Sequence, residues 1–282
     1  MNKNLIYVAC IAFFAICLLW INFKDEAVGI TATSSLDVIE KELKDADATT
    51  LVIFDCDDVL IHQTDVVFAP ENEEMLTKCV NDFIEKKPSV AKKMKKLKGI
   101  ISESINSIII DKRMPEVVKG LQEKGIKVLM ITSMKNEKLN GKYAIEIRQH
   151  ELENFGFDFS KSWPDLKKKW FGEVQKSQYY ESGIVCAKPG SKGEALKNFL
   201  DYSKFNPKKI VFIDDKLDNL EDIQKVAKML NSIFRGFEYT ASKKIPYDYR
   251  FSSERLTFQL KYLEETERWL SDKEAEAKMN EK

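Results

Sequence analysis

The chain has 282 residues, 44% hydrophobic and 32% charged, with 45 lysines and arginines against 45 aspartates and glutamates. That length buries the core of one α/β domain with a modest insertion and excludes two large independent domains. Balanced charge excludes a global attraction to nucleic acid or to an acidic surface, so any affinity for anions has to be local.

From Leu5 to Phe23 every residue is apolar except Asn22, with Lys3 before the run and Lys24 after it. As a helix the run extends about 28 Å at ~1.5 Å per residue, close to the hydrocarbon thickness of a bilayer. Residues 1–33 are therefore read as a signal peptide or membrane anchor, and residues 34–282 as the working domain. The run is long for a signal peptide, yet small residues follow it, so cleavage and retention both stay open. Either way the expected location is exported, periplasmic or cell-envelope, with the membrane as a partner through residues 5–23 if they are retained.

Leu36 to Leu43 has the spacing of a short amphipathic helix. Leu51 to Phe54 is a short apolar run that stops at carboxylates, and Lys127 to Thr132 and Lys209 to Asp214 repeat the pattern. Runs that are apolar on both faces are strands covered by helices on both sides. Pro115 to Lys124, stopped by Gly125, and Gly193 to Tyr202 read as helices feeding the second and third strands. This alternation predicts a doubly wound parallel sheet, in which ligands bind at the carboxyl ends of the strands. Asp55, Thr132 and Asp214 all fall there.

Between the first two strands, residues 61–113 exceed a normal connection and are read as a small helical cap insertion. Its lysine-rich stretch, Lys86 to Lys98, reads as a solvated face. After Thr132 a helix is expected from about Leu139 to Asn154. An irregular aromatic stretch follows, with Trp163, Trp170, Tyr179 and Tyr180 as packing residues. The tail from Ser253 to Glu281 is helical in period, with Leu256, Leu260, Leu263 and Trp269 along one stripe.

Chemistry concentrates at the strand ends. Asp55, Asp57 and Asp58 crowd three carboxylates into four residues, and like charges so close call for a divalent ion; magnesium, which takes oxygen ligands, suits them. Thr132 offers a hydroxyl and an amide to a phosphate oxygen. Lys192 opens a helix and adds a cation to exposed N–H groups. Asp214 and Asp215 supply further hard oxygen ligands. Cys56, Cys79 and Cys186 form no disulfide framework. His62 and His150, the only histidines, have no partner in the sequence and are read as structural or exposed.

In this order the residues resemble the haloacid dehalogenase (HAD) superfamily. Asp55, Asp57 and Val59 match its Asp-x-Asp-x-Thr/Val motif; Thr132 closes the apolar strand of the second; Lys192 precedes the helix of the third; Asp214 and Asp215 are the acidic pair of the fourth. Lys188 is the other candidate for the third motif, but the helix after Lys192 favours Lys192. The segments from Gly183 to Leu196 and from Arg268 to Ala275 are similar to a poorly characterised exported group of HAD-like proteins carrying a domain of unknown function.

The resemblance implies a HAD-type, Rossmann-like sheet and a Mg2+-dependent phosphatase acting on a small phosphorylated substrate. Asp55 would attack phosphorus to give an aspartyl phosphate, while Asp57 protonates the leaving oxygen and then activates water. Thr132 and Lys192 would bind the phosphate. Magnesium would be held by Asp55, the main-chain carbonyl of Asp57 and Asp214, with Asp215 or Asp218 in support, although Asp218 reads equally as an exposed helix-start residue. The alternatives are a catalytically inactive HAD-fold binding or envelope protein, and a phosphotransferase or mutase. The intact set of Asp55, Asp57 and Lys192 favours catalysis, and no nucleic-acid partner is expected.

Overall fold

The structure, a computed structural model, describes residues 29–281, so the apolar run Leu5–Phe23 lies outside the described residues. Among the described residues no helix is long and apolar enough to cross a membrane.

The described chain opens with strand β1 (Gly29–Thr33), helix α1 (Leu36–Leu43) and strand β2 (Thr50–Phe54). Helix α1 buries Leu36, Ile39 and Leu43, one stripe at helical spacing. Every residue of β2 is buried. The chain then leaves the sheet through β3 (Ile61–Gln63), α2 (Glu73–Lys86), α3 (Pro88–Ser104) and β4 (Ser107–Ile109), a two-helix insertion. Antiparallel pairing of β3 with β4 closes its neck.

Next come α4 (Met114–Glu123), β5 (Lys127–Lys135), a small hairpin of β6 (Lys138–Leu139) and β7 (Lys142–Tyr143), and α5 (Ala144–Asn154). The helix expected from Leu139 starts at Ala144 instead. Asn140 and Gly141 both take positive φ, +46° and +91°, and make the hairpin turn. The aromatic stretch expected to be irregular holds β8 (Lys169–Trp170) and β9 (Tyr179–Glu181), followed by β10 (Ile184–Lys188). The chain ends with α6 (Lys192–Ser203), β11 (Lys209–Asp214), α7 (Leu217–Met229), β12 (Ile233–Tyr239), α8 (Ser253–Thr266) and α9 (Asp272–Asn280).

The result is a mixed α/β fold around an eight-stranded, mostly parallel sheet in the order β1-β12-β11-β2-β5-β10-β9-β8. The pairs from β1 to β10 are parallel, and β9 and β8 extend the sheet antiparallel. Alternation along β2 divides the core: Val52 and Phe54 pack with Leu36, Ile39, Val118 and Ile145 on one face. Leu51 and Ile53 pack with Leu196, Phe199, Leu220 and Ile223 on the other. A third cluster joins Val67, Val90 and Leu97 of the insertion to Leu256, Leu260 and Leu263 of α8 and to Trp269, between α8 and α9.

From β2 the chain adds β5 and then β10 on one side, and afterwards places β11 and β12 on the other. The strand order therefore reverses between β2 and β11. In open α/β sheets the crevice at such a reversal, outside the carboxyl ends of the strands, is where ligands bind.

Candidate active site at the strand ends

Asp55 follows β2 and Asp214 ends β11, one on each side of the reversal. The Asp55 amide donates to the Ile213 carbonyl at 2.9 Å, carrying the ladder up to the carboxylates. Lys192 is the first residue of α6, capped by Ser191, whose side chain accepts from the Glu194 amide. Its Nζ lies 2.6 Å from Asp55 Oδ1 and 2.7 Å from Asp214 Oδ2. Asp214 Oδ1 accepts from the Lys216 amide and from Asn219 Nδ2, both at 2.9 Å. Carboxylate oxygens of Asp55, Asp214 and Asp215 lie within 4.8 Å of one another.

Burial pushes the Asp55 carboxyl up, Lys192 pulls it down, and the charges of Asp214 and Asp215 push it up again, with a net rise. Burial and the Asp214 charge push Asp215 up to about 6. For Lys192, burial alone would lower the ammonium, but Asp55 and Asp214 outweigh it and raise it. One ammonium thus faces three crowded carboxylates, an excess of negative charge that a divalent cation with oxygen ligands fits.

The Asp57 carboxylate stands apart from that cluster. It pairs with Arg148 of α5, Nη1 lying 3.0 Å from Oδ1 and Nη2 donating to Oδ2 at 3.4 Å. Arg148 also meets Glu151 Oε2 at 3.0 Å, and Glu151 accepts from Ser107 Oγ at 2.6 Å, which links the arginine to the neck of the insertion. Asp58 adopts a left-handed φ of +63°, turning the chain out of the sheet, and its carboxylate lies 2.7 Å from His62 Nδ1. His62 is buried, and its ring packs 5.0 Å from that of Tyr247. Burial pushes the Cys56 and Cys186 thiols up, which makes them poor nucleophiles.

Thr132 does not close its strand, because β5 continues to Lys135. Pairing with β2 stops at Met130, however, so Thr132 stands beyond the end of the central strand. A cavity of about 320 Å³ opens there, lined by Asp55, Asp57, Thr132, Ser133, Arg148 and Asp215 among others. Of the six site residues expected from sequence, Asp55, Asp57, Thr132 and Asp215 line the cavity, and Lys192 and Asp214 are buried and bonded to Asp55 or to each other. Lys188 is exposed at the end of β10. Asp218 is exposed in the first turn of α7. Arg148, Asn219 and the His62–Asp58 pair are contributions that sequence reasoning missed; the four-residue spacing of Asp58 and His62 was the one signal available.

A sequence-family model described as "Protein of unknown function (DUF2608)" matches residues 32–276. A Chlamydia trachomatis (serovar D) protein described as "Putative outer membrane protein" is 34% identical over 67 residues, which are 24% of this chain and 26% of that protein. The chain therefore matches about a quarter of that relative's length. No solved structure matches.

Proposed function

The chain belongs to the DUF2608 family, and we propose that it is a HAD-like, magnesium-dependent phosphatase that hydrolyses small phosphate esters through an aspartyl phosphate on Asp55. The observation that carries this reading is the meeting of Asp55, Asp214 and Asp215 around Lys192 at the strand-order reversal, under a cavity also lined by Asp57 and Thr132. A nucleophile, an acid/base, a hydroxyl donor and an oxygen-rich cation site are thereby within one pocket.

The donor set fits magnesium: Asp55, Asp214 and Asp215 would hold it with the main-chain carbonyl of Asp57. When bound, the ion supplies neutralisation of the charge on the transferring phosphoryl group. The Asp55 oxygen that Lys192 does not engage attacks phosphorus, and the bond from phosphorus to the leaving alcohol breaks. Asp57 must enter the cycle protonated, its contact with Arg148 then a hydrogen bond rather than an ion pair; it gives that proton to the alcohol oxygen and regains one from the water that attacks the aspartyl phosphate. Inorganic phosphate leaves and the Asp55 carboxylate is restored. Lys192 fixes the orientation of the nucleophile, Thr132 donates to a phosphoryl oxygen, and Arg148 holds Asp57.

The proposed location is the cell envelope, with residues 5–23 as export signal or anchor and the membrane as partner. Support comes from the length and apolarity of that run and from the description of the Chlamydia relative as an outer membrane protein.

The test is release of p-nitrophenol from p-nitrophenyl phosphate by the purified chain with magnesium, with EDTA, and in an Asp55→Asn variant. Loss of turnover on chelation and in the variant is expected. Wild-type turnover by folded Asp55→Asn would sink the covalent mechanism.

A further inference from the structure

A second cavity, of about 270 Å³, adjoins the first and shares Asp57, Asp58 and Lys216 with it. Resting on the phosphatase reading, we propose that this cavity receives the leaving group and that the leaving group is a compact alcohol carrying an ammonium: the substrate class is the phosphomonoester of an amino alcohol.

Position comes first. Asp57 lines both cavities, so as the group that protonates the leaving oxygen it stands where the departing alcohol can enter the second cavity, whose lining does not include Thr132. Size comes next. The volume falls just below the roughly 300–1,000 Å³ of drug-sized ligand sites, which suits a small alcohol.

Chemistry then narrows the class. Phe68 and Tyr247 are two aromatic residues among those lining the cavity, with Val67 and Leu76 beside them. Both rings are braced from outside the cavity, Phe68 against Trp269 at 5.6 Å and Tyr247 against His62 at 5.0 Å. Asp58 and the exposed Glu73 line the same space; Asp58 is held by His62, and Glu73 makes no ion pair among the described residues. The only lining cation is Lys216, on the boundary shared with the phosphoryl cavity. Aromatic residues together with carboxylates attract an ammonium, whereas a second phosphate or a carboxylate on the leaving group would be repelled by Asp58 and Glu73.

The experiment compares kcat/KM of the full chain with magnesium for phosphocholine, for 3,3-dimethylbutyl phosphate, which has the same shape without the charge, and for the anionic 2-phosphoglycolate. The expected order is phosphocholine about tenfold above its neutral isostere, with 2-phosphoglycolate lowest. Glu73→Gln should narrow the gap between the first two. An isostere or 2-phosphoglycolate turned over as well as phosphocholine would overturn the proposal. Binding separates its failure from that of the phosphatase reading. In NMR titrations choline should bind more tightly than 3,3-dimethylbutanol and lose that advantage in Glu73→Gln. If p-nitrophenyl phosphate is not hydrolysed but choline keeps this preference, the phosphatase reading falls and the cation-accepting cavity stands. Choline binding no better than its neutral isostere overturns the cavity assignment whatever the turnover.

Discussion

Lys192 is 2% exposed and shared by two buried carboxylates, so its removal strands charge where water does not reach. Lys192→Met should destabilise the protein by about 3–5 kcal/mol, the cost of breaking a buried ion pair from one side, read as a lower urea midpoint at unchanged slope. Arg148 acts differently, because its partner Asp57 is half exposed and can rehydrate. Because Glu151, its other partner, is only 23% exposed, Arg148→Met should cost some stability but less than Lys192→Met, and it should lower kcat on p-nitrophenyl phosphate by tenfold or more, with KM little affected, since a misplaced acid/base slows the step without weakening phosphate binding. An unchanged kcat would remove Arg148 from the positioning role. The contrast also explains what was legible in the sequence. Asp55, Lys192, Asp214 and Asp215 sit where a strand stops or a helix starts, and those boundaries are written in apolar runs. Arg148 reaches the site by side-chain length from the middle of α5, and Asn219 from one turn inside α7, positions that no periodicity distinguishes.

Between elements, the C-terminal helices are bolted to the root of the insertion by two buried aspartates. Asp65, just after β3, accepts from Trp269 Nε1 at 3.0 Å and from the Asp272 amide at 2.9 Å. Asp272 in return accepts from the Val66 amide at 2.6 Å and from Arg255 Nε at 3.0 Å. Asp272→Ala leaves Arg255 buried without its main partner, and a loss of about 3–5 kcal/mol is expected in guanidinium denaturation. Glu267→Gln is the control: it breaks a solvent-exposed pair with Lys96 across the same two elements, worth at most about 1 kcal/mol. Equal losses from the two variants would deny the aspartate pair its role. Periodicity revealed α8 and α9 as helices but not what they cover, because a stripe names a buried face and not its partner. The central strands β2, β5 and β11 were legible as uninterrupted apolar runs. Strands β8 and β9, two and three residues long, were not, since their pairing is decided by neighbours rather than by pattern.

At the scale of the whole molecule, the sheet sets the electrostatics of the site. Parallel strands on both sides of the reversal end at one edge, and that edge gathers Asp55, Asp214 and Asp215 within 4.8 Å at the expense of like-charge repulsion that Lys192 offsets only in part. A cation that binds there binds the folded chain alone, because the unfolded chain separates Asp55 from Asp214 by more than a hundred residues. Magnesium at a hundred times its dissociation constant should then add about 2.7 kcal/mol to folding stability. For a chain of this size that is a rise of about 5–10 °C in Tm, measurable by calorimetry against the same protein in EDTA. Asp215→Asn removes one ligand and part of the repulsion together, so the variant should melt as high as the wild type in EDTA, or higher, and gain less from magnesium. A wild-type Tm identical in EDTA and in 10 mM magnesium, taking that as roughly a hundredfold excess over a 0.1 mM site, would mean that the strand-end carboxylates are balanced by Lys192 alone, and the phosphatase reading would lose its metal.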